Sequence, residues 1–358
     1  MNVKKLLALL LAMMLLVSLA ACGEKERGGE SSSSAPEEEP DPNWPVAIGD
    51  IRIPEKPRAA VSLSPALTEV IFELGAENQL AGVSDFCDYP AGADGLPRCG
   101  TAALPDFEAL SDIRPDVVFS SAALSEADTV KLQQMGAEVV VLPRAHSMDE
   151  LRAIYLNTAI VLGGLEDGDQ NGYDTFRALE NRWDALTAAA SRVTERLGGV
   201  YLRAAPLMMA TGDAFEGELL AAIGVENDAA AYTGWEYPAD QAVNLYPDII
   251  FYDEGIDPEY FKGTQVYNTT DAYKQGRIYP VNGTALERQS GRMFAELEKM
   301  FAEAYPELAS LLDAPPEEEP AAESSSGEES GGDDGMLDIS DMTQVGLSDK
   351  RDRGGAPV

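Results

Sequence analysis

The sequence predicts an α/β fold of two lobes, each with a mainly parallel sheet flanked by helices, joined by a long rigid helix. Three observations carry this. From residue 58 onward, short continuous apolar runs alternate with helical patterns, as in strands buried on both faces. One stretch recurs: Glu108-Ala-Leu-Ser-Asp-Ile-Arg-Pro115-Asp116-Val-Val-Phe119 aligns without a gap on Asp240-Gln-Ala-Val-Asn-Leu-Tyr-Pro247-Asp248-Ile-Ile-Phe251, at an offset of 132. Between the two copies lies a stretch of sustained helical spacing.

Residues 1–22 place Lys4 and Lys5 before an apolar run from Leu6 to about Val17, then small residues and a cysteine. That run is short for a membrane span and has the layout of a signal peptide. Leu19-Ala20-Ala21-Cys22 resembles the bacterial lipoprotein lipobox, whose cysteine becomes the lipidated first residue; an ordinary signal peptide is the alternative. Acyl chains contribute ~0.8 kcal/mol per buried CH₂, and several together anchor a protein stably. Residues 23–43 hold no large apolar residue, so 23–57 is expected to be a disordered tether and lead-in.

The first lobe is placed at 58–147. RAAVSLS (58–64) reads as a strand, and Pro65 opens a helix with Leu67, Val70, Ile71 and Leu74 on one face and Gly75 at its end. Strands follow at 80–85, 115–121 and 137–143, with helices near 106–113 and 125–135. The interlobe region is 148–197. Leu151, Ile154, Tyr155, Thr158 and Val161 keep one helical face, and after a loop from Gly163 to Gly172 a second face runs from Tyr173 to Leu197. A helix of about 25 residues spans roughly 37 Å and would fix the lobes' orientation. The second lobe, 198–312, repeats the pattern with strands at 199–205, 247–253 and 277–282 and helices near 215–224, 239–246 and 290–304. Glu69…Gly75-Ala-Glu77-Asn78 also matches Glu218…Gly224-Val-Glu226-Asn227, at an offset of 149, so the lobes read as a duplication. Residues 313–358 read as an acidic disordered tail.

The chain of 358 residues holds 62 acids, 26 Lys or Arg and one His, for a net charge of −36. The segment 44–312 carries −23; the flanks 23–43 and 313–358 carry −5 and −10. Such a chain repels nucleic acid and anionic headgroups, so no nucleic-acid partner is expected and membrane contact falls to the lipid anchor alone. His146 alone cannot build a multi-His site, and no metal site is expected.

No G-x-S-x-G, H-E-x-x-H or P-loop motif is present, so the chain is not expected to be an enzyme. The informative residues sit where strands end: Ser64 and Pro65, Phe86 and Tyr89, Met208 and Met209, Trp235 and Arg288. Ligands of parallel sheets bind at the carboxyl ends of strands, and two such edges facing each other make a cleft for a bulky, partly apolar ligand. Arg144 could face that cleft, and His146 beside it is most simply a surface or interlobe residue. Cys87 and Cys99 flank a Pro- and Gly-rich loop; they form either a disulfide closing it or two reduced thiols.

VSLSPALTEVIFELGAENQLAGVSDFCDYP (61–90), FEALSDIRPDVVFSS, the long helical region and ALERQSGRMFAELEKM together resemble the class III periplasmic-type solute-binding proteins of ATP-binding cassette (ABC) importers for vitamin B12, iron–siderophores and haem. The resemblance covers about 58 to 309. It implies a lipid-anchored extracytoplasmic receptor, without a cofactor of its own. A monomer would hold a bulky cobalt- or iron-containing chelate between its lobes and deliver it to a permease dimer and its ATPase. It implies that Glu108 and Asp240 dock into permease arginine pockets and that Phe86, Trp235 and Arg288 contact ligand. Two further aromatic positions of the B12 pocket fall near Ala102 and Ser121, which cannot stack, so corrinoid, haem and ferric siderophore all remain open. The manganese- and zinc-binding branch is disfavoured by the single His. A scaffold or sensory lipoprotein, or an enzyme on the same fold, is the alternative.

Overall fold

The computed structural model describes residues 41–312, so the signal peptide with Cys22, the tether to residue 40 and the tail 313–358 lie outside the described residues. The expected tether and lead-in is ordered from Asp41 on. There β1 (Val46–Ile48) and β2 (Ile51–Ile53) form an antiparallel ribbon around Gly49, at φ +56°. Trp44, Val46, Ile48 and Ile53 are buried. Their alternation is the period-two signal of a half-buried strand.

The first sheet contains β3 (Ala60–Ser62), β4 (Leu80–Val83), β5 (Val117–Ser120) and β6 (Glu138–Val141), in the order β4-β3-β5-β6 and all parallel. Its helices are α1 (Pro65–Glu73), α2 (Phe107–Ile113) and α3 (Glu126–Gln134). Ser64 caps α1 by accepting a hydrogen bond from the Leu67 amide, and Gly75 ends that turn at φ +67°. Asp106 caps α2 by accepting from the amides of Glu108 and Ala109, at 3.0 and 3.2 Å.

The lobes are joined by α4 (Met148–Gly163) and α5 (Leu165–Ala190). The expected loop from Gly163 to Gly172 is instead one residue, Gly164, at φ +94°. Gly168 and Gly172 lie inside α5, where it packs on α4. A Cβ on Gly168 would sit 2.5 Å from the Ala159 carbonyl oxygen, and one on Gly172 would sit 3.1 Å from Leu156 Cα. These glycines permit close helix approach rather than break the helix. With 26 residues, α5 reaches about 39 Å, and it ends at Ala190 rather than Leu197.

The second lobe contains β7 (Gly198–Ala204), β8 (Met208–Met209), α6 (Phe215–Ala222), β9 (Glu226–Asn227), β10 (Ile249–Asp253), α7 (Glu259–Gly263), α8 (Gln265–Asn268), α9 (Asp271–Gln275), β11 (Ile278–Val281), α10 (Gly283–Glu287) and α11 (Gly291–Ala304). Parallel β9, β7, β10 and β11 repeat the order of β4, β3, β5 and β6, and β8 adds an antiparallel strand to β7. The repeat in sequence is thus a repeat in topology. The second lobe's helices depart from the repeat: α7, α8 and α9 stand between β10 and β11 where the first lobe has only α3, and the helix expected at 239–246 is a single 3₁₀ turn, Ala242–Asn244. Pro238 stands where the first lobe has its capping Asp106, so this turn has no side-chain cap.

Each sheet divides its side chains between two cores. Val61, Val118 and Val139 face the first lobe's own core, and Val200, Leu202 and Ile250 face the second lobe's. The alternate residues Ala60, Val117, Phe119, Tyr201, Ile249 and Phe251 belong to one shared core with α4, α5 and α11. A continuous apolar interior therefore links the lobes.

At the amino end of the second sheet, Asp228 sits beside Asp248 and Glu226. Partial burial, and then these two carboxylates, push its pKa up to about 6. The folded state therefore binds this proton more tightly than the unfolded chain does. Stability from the site falls as pH rises from near 3.8 to about 6 and stays low above that. Asp228→Asn is expected to raise Tm at pH 8, by roughly 2 °C given solvent screening, and to leave it unchanged near pH 3.8. Thermal melts at the two pH values check this; no gain at pH 8 would contradict it.

Candidate ligand-binding site

Beside the carboxyl edge of the first sheet, where segment 288–289 meets it, lies a small crevice of about 10 Å³, room for little more than one water molecule. Leu67, Val70, Ser121 and Leu142 line it from the first lobe, Ile154 from α4, and Arg288 and Gln289 from the second lobe. The segment 288–292 is stitched onto the first lobe. Gln289 is buried at φ +55°; its amide donates to the Ala145 carbonyl at 2.7 Å and accepts from the Ala145 amide at 2.9 Å. Ser290 Oγ donates to Glu69 at 2.6 Å, and the Arg292 guanidinium donates to both Glu69 oxygens. Gly291 N donates to Glu73 at 2.8 Å, and the Tyr155 hydroxyl donates to the other Glu73 oxygen. Burial raises the Glu73 pKa, and these two donors oppose the rise.

Around the crevice, the structure sorts the expected site residues. Phe86 is 69% exposed, and Tyr89 lies beside it with the Arg292 guanidinium 4.1 Å over its ring. Arg288 is turned onto the same loop: it donates to the Phe86 carbonyl at 3.5 Å and lies 3.7 Å from the Asp88 carboxylate. Trp235 is half-buried and held at φ +65°, a rare conformation for a bulky residue. Its amide donates to Thr211 Oγ1 at 3.0 Å, its carbonyl accepts from Met209 N at 3.0 Å, and Gly234 N donates to Asp213. The ring meets Tyr201 edge-on at 6.3 Å.

Two expectations are corrected, and one open alternative is decided. Met209 is 0% exposed and packs into the second lobe's core, while Met208, on the other side of the strand, is 45% exposed. Ser64 is buried and its hydroxyl is used as the α1 cap; Pro65 is half-buried in the first turn. Cys87 and Cys99 are free, buried thiols rather than a disulfide. Cys87 packs in the shared core with its sulfur 3.2 Å from Thr68 Oγ1, whereas Cys99 packs in the first lobe's own core. Burial raises both pKa values, that of Cys99 to about 11, so neither is a reactive thiolate at neutral pH.

Glu108 and Asp240 are exposed and do not line the crevice. His146 is exposed; its amide donates to Glu150 at the start of α4. The ion pairs that cross or edge the cleft escape sequence reasoning. Arg144 Nη2 lies 2.6 Å from Glu216 of the opposite lobe, and Arg203 pairs with Glu287 and with Asp253, the latter at 3.7 Å. Among the described residues, no three His, Cys, Asp or Glu side chains converge as metal ligands.

A family model described as periplasmic binding protein matches residues 61–283. The chain belongs to the periplasmic binding protein family. This periplasmic binding protein is 26% identical over 265 residues to the uncharacterized ABC transporter substrate-binding lipoprotein YvrC of Bacillus subtilis, covering 72% of this chain and 83% of that one. It is 24% identical over 237 residues to the vitamin B12-binding protein of Vibrio parahaemolyticus, covering 65% and 84%. Its fold matches the periplasmic haem-binding protein HutB of Vibrio cholerae at a TM-score of 0.62 and 20% identity, covering 69% of this chain and 99% of that one. The matches are to binding proteins rather than enzymes.

Proposed function

We propose that the protein is a lipid-anchored extracytoplasmic substrate-binding protein of an ABC importer. As a monomer, it captures a bulky cobalt- or iron-containing chelate between its lobes and delivers it to a permease dimer and its ATPase. The observation that carries this reading is the Arg144–Glu216 pair, which brings the carboxyl-end segments of the two lobes together, with Phe86, Tyr89, Met208 and Trp235 lying at or after strand ends of one lobe or the other. The names of the relatives, a substrate-binding lipoprotein and a vitamin B12-binding protein, support it. At about 10 Å³ the crevice is far too small to enclose a macrocyclic chelate. In this reading the ligand lies across the strand-exit loops rather than inside the crevice.

Glu108 and Asp240 are the docking residues in this reading. Each exposed acid has exposed apolar neighbours in sequence: Leu104 for Glu108, Val243 and Tyr246 for Asp240. Acid beside apolar surface suits a protein partner with basic pockets. Cys22, outside the described residues, supplies the anchor.

The test is a titration of the mature chain with cyanocobalamin, haemin and ferric siderophores, following Trp235 emission against a Trp235→Phe control. Saturable one-to-one binding of at least one chelate is expected, weakened at least about tenfold in Trp235→Ala. Binding of none of them would overturn the reading.

A further inference from the structure

The charges at the cleft restrict the chelate further; this inference rests on the chelate-receptor reading above. Every arginine placed at the facing edges among the described residues already has a carboxylate partner. Arg144 pairs with Glu216, Arg203 with Glu287 and Asp253, Arg288 with Asp88, and Arg292 with Glu69. Two of these carboxylates are deeply buried: Glu69 is 1% exposed and Glu216 2%. An anionic ligand that claimed Arg292 or Arg144 would leave a buried carboxylate without its counterion, a costly exchange.

Acids at the same edges also outnumber the arginines. Asp85, Asp213 and Glu236 are exposed in strand-exit loops; Asp85 and Asp213 accept backbone amides, from Gly100 and Gly234. Burial, and then the nearby Glu216, raise the Glu287 pKa although Arg203 opposes the rise, so this arginine is already engaged. The folded body as a whole repels anions at a distance, with −23 over residues 44–312. Phe86, 69% exposed, and the half-buried Trp235 carry aromatic rings, whose faces attract cations and stack on uncharged macrocycles, and Tyr89 already holds a cation, Arg292.

We propose that the cleft takes a neutral or cationic chelate and discriminates against anionic ones, because its arginines are neutralised from within by Glu216, Glu287, Asp88 and Glu69. Arg144 and Arg288 then act as structural cations holding the rim, not as ligand anchors.

The mature chain is titrated at fixed ionic strength with cyanocobalamin (no net charge), ferrioxamine B (cationic), haemin (propionates) and a ferric tris-catecholate (anionic). The neutral or the cationic probe is expected to bind at least about tenfold tighter than either anion. Glu216→Gln, which frees Arg144, is expected to shift the preference several-fold toward the anions, with Glu216→Asp restoring the original ratio. Asp88→Asn, at an exposed position, frees Arg288 and is expected to act in the same direction; it guards against misfolding at the buried Glu216. Tightest binding of haemin or the tris-catecholate by the unmodified chain would overturn this inference and leave the chelate reading standing. An unchanged preference in both Glu216→Gln and Asp88→Asn would overturn its charge-pairing basis. Binding of none of the four probes would overturn both readings.

Discussion

Glu69→Ala is expected to lower the unfolding free energy by about 3–5 kcal/mol and Tm by roughly 10 °C. Glu69 is 1% exposed, yet it accepts from Ser290 and, through both oxygens, from Arg292. Truncation leaves the Arg292 guanidinium, itself largely covered, without its counterion, and the buried Ser290 hydroxyl without its acceptor. It also releases the cation that sits over Tyr89. The damage therefore spreads from the lobe junction to the aromatic rim. In the double variant Glu69→Ala with Arg292→Ala, the loss is expected to be smaller than the sum of the single losses, because the second truncation removes the unpaired charge. Denaturant unfolding of the four proteins measures this coupling. A loss below about 1 kcal/mol for Glu69→Ala would mean that the junction does not depend on this pair.

Glu108→Arg combined with Asp240→Arg is expected to abolish uptake while leaving ligand affinity unchanged. Both acids are exposed and neither lines the crevice. A competing explanation exists for Glu108: an acid in the first turn of α2 complements the helix dipole, worth about 0.3–1 kcal/mol. That explanation does not extend to Asp240, which precedes only a 3₁₀ turn of 3 residues. The second acid is kept at the repeat position without a helix to stabilise, which favours a role on the surface. Small losses of stability with full loss of transport would fit docking. A fall in affinity would instead place these residues in the pocket.

Much of the scaffold is legible because its signals are local. Continuous apolar runs beside Pro115 and Pro247 mark β5 and β10, and the repeated topology follows from them. Glycine is ambiguous: Gly75 ends a helical turn at positive φ, whereas Gly168 and Gly172 let one helix lie against another. Nothing local separates the two uses. Which of Met208 and Met209 faces inward depends on the register of a two-residue strand, and Cys87 and Cys99 part company across the faces of a sheet. The Arg144–Glu216 pair joins residues 72 apart in sequence, from separate lobes, and leaves no periodic trace. Glu69 does leave one. A carboxylate among Leu67, Val70 and Ile71, all buried in α1, announces a buried partner without naming it.

Intact mass spectrometry of the protein, extracted gently from the membranes of its native host, tests the central claim most directly. The predicted species begins at an acylated Cys22 and carries one cobalt or iron chelate. A chain that retains residues 1–22, or one holding a metal-free solute between its lobes, would contradict the account.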